Sequence, residues 1–350
     1  MNNDKIKFAV VGVGHIGKRH AEVINTNEQA ELTAIVDTDR TKIDQAKKIY
    51  NVPGFYSIEE LLSSETSIDV VNICTPNGLH ASQTILSLSK NLHVICEKPL
   101  SLNTIDSKKI HSIAQSVNKN VYCVMQNRFS PSAQWLKKII NDKTLGVINM
   151  VVVNCFWNRG EDYYNSSPWR GSKEMDGGTL FTQFSHFIDT VYWLFGDIKN
   201  IQARFKNFNH DKLIEFEDSA IIQFDFVKGG SCSFNYTTSI WNKNFESSIT
   251  ILGEHGAVKV GGQYMNEVEY CHIKNYEMPI LEAGKPANDY GTYKGSAANH
   301  EFVIKNVIDH LQGKNKIFVE VEEGIKVVEI IERIYNCNNV AKNLNELVGF

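Results

Sequence analysis

The sequence predicts an α/β chain in two parts. Residues 1–125 read as a doubly wound parallel-sheet domain, and residues 126–350 as an α+β domain with an open, largely antiparallel sheet. Three observations carry this. Near-continuous apolar runs alternate with amphipathic stretches through the first third. The first run ends in "VVGVGHIG", three glycines at GxGxxG spacing. Past about residue 125 the alternation gives way to strand-like runs joined by tight turns.

In order, "KIKFAVVGVG", "ELTAIVD", "IDVVNICTP", "NLHVICEKP" and "NVYCVMQN" read as strands covered on both faces. Helical patterns at 16–25, 40–50, 79–90 and 103–117 supply the cover, which is the doubly wound arrangement. Next, "SAQWLKKIIND" reads as a helix and "GVINMVVVNCFW" as a strand. A long polar and aromatic loop then precedes an apolar helix from about Gly178 to Phe195. Between 198 and 275, "VKGGS" and "GEHGAV" each join two strand-like runs. Helices at 299–312 and 322–337 follow, and no repeat or low-complexity tract interrupts the pattern.

Bulk composition narrows the function. Hydrophobic residues make up 42% and charged residues 22%, as in soluble globular proteins. A net charge of −4 without a basic block argues against nucleic acid, and no run approaches the ~20 apolar residues of a membrane helix. The first apolar run reaches glycine too soon for a signal peptide. Seven scattered cysteines with no CxxC pair indicate reduced, buried thiols, a cytoplasmic location and no zinc site.

Gly12, Gly14 and Gly17, with His15 and Ile16, stand between a strand and a helix. There the first glycine permits the turn, the second admits a pyrophosphate and the third lets helix and strand pack. A bare glycine-rich turn has the same spelling. Its context and Asp37, about 20 residues on, favour a dinucleotide whose ribose the carboxylate holds. A carboxylate there prefers NAD to NADP, with Arg40 nearby as the residue that would admit the extra phosphate. Ligands of such sheets bind beyond the carboxyl ends of the strands. This places Thr75, Pro76, Asn77 and His80 of "TPNGLH", and Glu97 and Lys98 of "EKP", at the cofactor. Read alone, Lys98 could equally be a surface lysine that ends a strand.

These motifs, with "GGTLFTQFSHFID", resemble the Gfo/Idh/MocA family of oxidoreductases along nearly the whole chain. The resemblance implies a Rossmann domain followed by a domain whose open sheet often forms the interface of a homo-oligomer, here expected as a dimer or tetramer. It implies that Lys98 lies beside the nicotinamide, often before a cis proline, and that His186 is the general base, in a cleft between the domains. Without the resemblance, His186 reads as a packed helix histidine. Asp189, three residues on, is expected to orient the imidazole, with a plain helix-surface role as the alternative. Many relatives carry an aspartate four residues before the histidine. Here that residue is Thr182, which cannot carry charge and breaks a Lys–Asp–His relay.

The loop from Trp157 to Lys173 gathers Trp157, Tyr163, Tyr164 and Trp169 with Arg159 and Arg170. Aromatic faces suit sugars or a base, and guanidiniums suit phosphate or carboxylate. The alternative is an oligomer-contact loop. "MQNRF" adds Gln126, expected at cofactor and substrate, Asn127, and Arg128, for which a structural ion pair is the alternative. Thr182 and Gln183 complete the expected substrate contacts. In this region the chain looks like the branch that oxidises the 3-hydroxyl of UDP-N-acetylglucosaminuronate for surface polysaccharides, some of whose members reoxidise bound NADH with 2-oxoglutarate. The rival readings are an inositol or other sugar dehydrogenase and a non-enzymatic NAD-sensing regulator.

Overall fold

A computed structural model describes residues 5–291 and 293–348, and side chains up to residue 337. The chain forms two compact units. One comprises residues up to 125 together with 300–328, and the other 126–299 together with the chain from 329 on. The division is discontinuous, which two consecutive blocks of sequence could not express.

The first unit runs β1 (Ile6–Val11), α1 (His15–Thr26), β2 (Ala30–Val36), α2 (Arg40–Tyr50), β3 (Gly54–Phe55), α3 (Ile58–Ser63), β4 (Val70–Ile73), α4 (His80–Ser89), β5 (His93–Cys96), α5 (Thr104–Ser116) and β6 (Val121–Cys123). All five strand pairings are parallel, in the order β3-β2-β1-β4-β5-β6. The chain reverses its winding between β1 and β4, where such sheets open a crevice for ligands. Phe8, Val10, Val70, Ile73, Val94 and Ile95 are fully buried, each contributing about 1.5–3 kcal/mol of transfer free energy. Register then fixes the edge. Val11 pairs with Ile73 and Ile73 with Cys96, so Gly12, Cys74 and Glu97 emerge side by side. The short α3 was not expected. Its signal is "SIEE", in which Ser57 caps Glu60 N at 3.1 Å.

The second unit comprises α6 (Pro131–Asn141), β7 (Ile148–Phe156), α7 (Glu161–Asn165), α8 (Ser185–Phe195), β8 (Ile198–Lys206), β9 (Ser219–Phe226), β10 (Ser231–Thr237), β11 (Glu246–Gly253), β12 (Gly256–Gly261), β13 (Glu267–Ile273), β14 (Ala287–Asp289) and β15 (Lys294–Ala297). Its seven-stranded sheet has the order β13-β12-β11-β7-β10-β9-β8 and is antiparallel except where β7 meets β10. One face is buried: Phe234 and Tyr236 from β10 are core, Tyr236 packs on Phe184, and Trp157 meets Phe184 and Phe187 edge-on. The expected single helix from 178 to 195 is two pieces, a π-helical turn over Leu180–Phe184 running into α8. Such turns concentrate at functional sites.

Finally, α9 (His300–Leu311) packs on α1, and α10 (Val321–Val348) runs on past the expected end at 337. No described helix is long and apolar enough to cross a membrane.

Candidate active site

In the first unit the glycine loop has the conformation its sequence requires. Gly12 has φ +89°, and a Cβ there would lie 2.7 Å from the Cys74 carbonyl oxygen. A Cβ at Gly17 would fall 1.7 Å from the Gly12 oxygen, so helix and loop touch only because that side chain is missing. In front of Gly14, at the N-terminus of α1, a Cβ would meet nothing within 4 Å. Asp37 accepts from Val13 N at 2.8 Å and from Asp39 N at 2.9 Å, so the backbone aims both oxygens and leaves lone pairs for ribose hydroxyls. Lys42 Nζ is 4.0 Å from Asp37, while the guanidinium of Arg40 lies over the ring of Tyr56 at 5.2 Å. This donor set fits a dinucleotide.

The other edge residues of this unit engage one another. Thr75 donates to Gln83 at 2.6 Å. His80, an expected cofactor contact, is buried with Nδ1 2.7 Å from the Pro99 oxygen and Nε2 2.8 Å from the Thr75 oxygen, bridging the "TPN" and "EKP" loops. Burial pushes its pKa down. Asn77 is buried and His15 is exposed. Lys98 is partly exposed, its bond to Pro99 is cis, and its backbone N–H donates to Glu97 Oε2 at 3.2 Å.

In the second unit, His186 is buried near the start of α8. The Gln126 amide nitrogen lies 3.2 Å from His186 Nε2. An amide donor there meets a lone pair on that nitrogen in the tautomer that carries its proton on Nδ1. Asp189, expected to orient His186, binds Arg128 with both carboxylate oxygens, at 2.6 Å and 2.9 Å. Arg128 thus occupies the structural role that stood as its alternative. Its side chain is fully buried, with Trp193 5.3 Å away across the guanidinium. Asn127 accepts from Ala297 N at 3.3 Å.

Thr182 donates to the carboxylate of Asp176, which also accepts from Gly171 N at 2.8 Å. A buried carboxylate therefore attends the position at which many relatives carry one, supplied from six residues upstream. Its only sequence signal was the acid in "MDGG".

Within the Trp157–Lys173 loop the structure separates packing from exposure. Trp157 is core, donating to Ser247 at 2.7 Å, and Tyr164 packs with Tyr163 and Ile214. Arg159 is buried, bonded to Gln183 Oε1 at 2.8 Å and to the Lys294 carbonyl at 3.2 Å, and stacked on Trp157 and Tyr293 at 4.7 Å. Burial pushes its pKa down. Gln183 also donates to Tyr163. Arg170 and Trp169 keep accessible surface. Arg170 lies 4.0 Å from the centre of Tyr163 and 4.8 Å from that of Trp169, and donates to Tyr293 at 3.4 Å. Its Nε has no partner among the described residues, and neither Arg159 nor Arg170 is paired with a carboxylate there. Tyr293, which completes this cage, gave no sequence signal.

Comparison with known proteins gives the family. Residues 6–125 match the oxidoreductase family with an NAD-binding Rossmann fold (GFO_IDH_MocA), and residues 133–259 match the GFO/IDH/MocA C-terminal domain. The WlbA dehydrogenase of Bordetella pertussis, solved in complex with NADH and UDP-GlcNAcA, superposes with a TM-score of 0.85 at 30% identity. The match covers 96% of this chain and 97% of that one. D-glucoside 3-dehydrogenase of Escherichia coli is 22% identical over 96% of both chains. A scyllo-inositol 2-dehydrogenase of Bacillus subtilis is 24% identical over 73% of this chain and 76% of its own.

Proposed function

This chain belongs to the Gfo/Idh/MocA family of NAD-dependent oxidoreductases, and we propose that it oxidises the 3-hydroxyl of a UDP-linked N-acetylated uronic acid. The observation that carries this reading is the cage around Arg170, where two guanidiniums share aromatic walls and the carboxylate of Asp176 acts on Arg170 without an ion-pair contact among the described residues. An anionic ligand supplies the missing charge, and a uronic acid joined to a pyrophosphate offers two kinds. Likeness to the Bordetella pertussis dehydrogenase supports the same substrate class.

The roles follow from what each side chain can do. NAD, held by the glycine loop and Asp37, supplies the hydride acceptor. His186 is the base that removes the hydroxyl proton at Nε2, once the Gln126 amide 3.2 Å away yields that lone pair to the substrate hydroxyl. Lys98 donates to the oxygen as negative charge develops on it, and Arg170 holds the anionic part of the substrate.

The test is nicotinamide absorbance at 340 nm, with enzyme at substrate concentration so that bound NADH is seen, comparing UDP-N-acetylglucosaminuronate with inositol and glucosides. Arg170→Ala is expected to raise KM for the nucleotide sugar roughly ten- to a hundredfold, the worth of a charge-assisted contact of about 1.5–3 kcal/mol. Faster turnover of inositol or a glucoside, the substrates that the other two relatives' names point to, would replace this reading.

A further inference from the structure

We infer that Glu97 is a positioning residue for Lys98, a buried carboxylate that ties the lysine's backbone to the helix behind the dinucleotide loop through His20 and His300. This rests on the proposed role of Lys98 and adds a task for the residue before it.

Two hydrogen bonds and a third ring nitrogen converge on the two oxygens of Glu97. Oε2 accepts from Lys98 N at 3.2 Å. Oε1 lies 2.9 Å from His20 Nε2 and 3.3 Å from His300 Nε2. Asn72 donates to His20 Nδ1 at 2.8 Å, so the proton of His20 sits on Nε2, facing the carboxylate. Glu97 is 6% exposed, and His20, Asn72 and His300 are each 0% exposed, so the cluster is almost wholly buried.

The elements joined are the ones an active site would need in register. His20 is on α1, which opens at the glycine loop. Glu97 leaves β5 directly before Lys98, and His300 opens α9, which packs on α1. Only a carboxylate presents acceptors on both oxygens. An amide would turn an NH2 group onto one of the donors and leave a buried donor facing a donor.

The titratable and charged groups around the carboxylate are Arg19 and His20 on α1, Cys74 after β4, His80 on α4, Cys96 and Lys98 on either side, and His300 on α9. Burial alone would push Glu97 up. The bond from His20 and the His300 ring 3.3 Å away outweigh it and hold the carboxyl well below its usual range.

Glu97→Gln tests the assignment, with Lys98→Met as reference. We expect kcat to fall at least about tenfold while the Kd for NAD moves less than about threefold, and Glu97→Asp, which keeps two acceptor oxygens, to recover part of kcat. Should the glutamine variant not fold, His300→Phe removes one ring donor at similar volume. The acid limb of its kcat–pH profile should then move to higher pH, because the carboxylate loses a group that favours its ionised form. Unchanged kcat in Glu97→Gln, a loss confined to NAD affinity, or an unmoved acid limb in His300→Phe would overturn the inference. So would a stoichiometric divalent ion in the purified protein, since the ligating atoms of this trio lie within 4.8 Å of one another. Full activity in Lys98→Met would instead refute the catalytic reading of the lysine. An inactive Lys98→Met beside an unaffected Glu97→Gln would refute the positioning role alone.

Discussion

Replacing Asp189 with asparagine isolates the ion pair that joins the "QNRF" turn to the helix bearing His186. Both side chains are 0% exposed, and the two bonds measure 2.6 Å and 2.9 Å. Asparagine keeps the shape but offers one acceptor oxygen and no charge, so the guanidinium stays buried with one of these two acceptors lost. Removing one member of a buried pair costs about 3–5 kcal/mol, because the remaining charge is uncompensated. The Trp193 ring at 5.3 Å persists in the variant and offsets part of this, which favours the lower end, about 3 kcal/mol. At about 2–4 °C per kcal/mol for a domain of this size, Tm should fall by roughly 6–12 °C. Thermal melts followed by circular dichroism at neutral pH measure it. The double variant Arg128→Met/Asp189→Leu should regain most of the loss, since apolar replacement of both ends removes the buried charge. If Asp189→Asn melts within about 1 °C of the parent while Arg128→Met raises KM, Arg128 is a substrate contact and the structural assignment is wrong.

Lys98→Met and His186→Ala should each lower kcat about a hundredfold or more with little change in the Kd for NAD, measured by nicotinamide fluorescence. Near-normal turnover in either would remove that residue from the chemistry. Asp37→Ala should weaken NAD and narrow its advantage over NADP. Tighter binding of NADP by the unaltered protein would mean that Arg40 or Lys42 governs the choice. Glu217, which accepts from Tyr236 and Tyr335 at 2.7 Å beneath the π-helical turn, is pushed up to about 7 by burial. A folded pKa above the unfolded one gives stability that is full below pH 4.5 and lost as pH rises through about 7, on the order of 3 kcal/mol in all. Urea melts at pH 5 and pH 8 should show that loss in the parent and a flatter profile in Glu217→Gln. An equal slope in both would contradict it.

What the sequence determined by itself was the parallel-sheet part of the first unit, residues 1–125, and the identity of its key side chains. Apolar runs such as "VVNI" and "HVIC" carry their burial in their own composition, and α2 begins and ends where its periodicity does, at Arg40 and Tyr50. Gly12 and Gly17 could be read because a turn and a close approach demand glycine at fixed offsets. These are short-range constraints, written within a few residues of where they act. The tertiary structure decided who meets whom. Asp189 holds Arg128, 61 residues away, a partner to which no spacing on its own helix points. Trp157 and Tyr164 look like ligand-stacking residues in the sequence, yet Trp157 packs against Phe187 of α8 and Tyr164 is buried with Tyr163 and Ile214, contacts that only the folded chain creates. His300 reaches Glu97 only because the chain returns to its first unit after building the second. No local pattern encodes that return, since the partner of a buried charge is set by burial and distance, which exist only once the chain has folded.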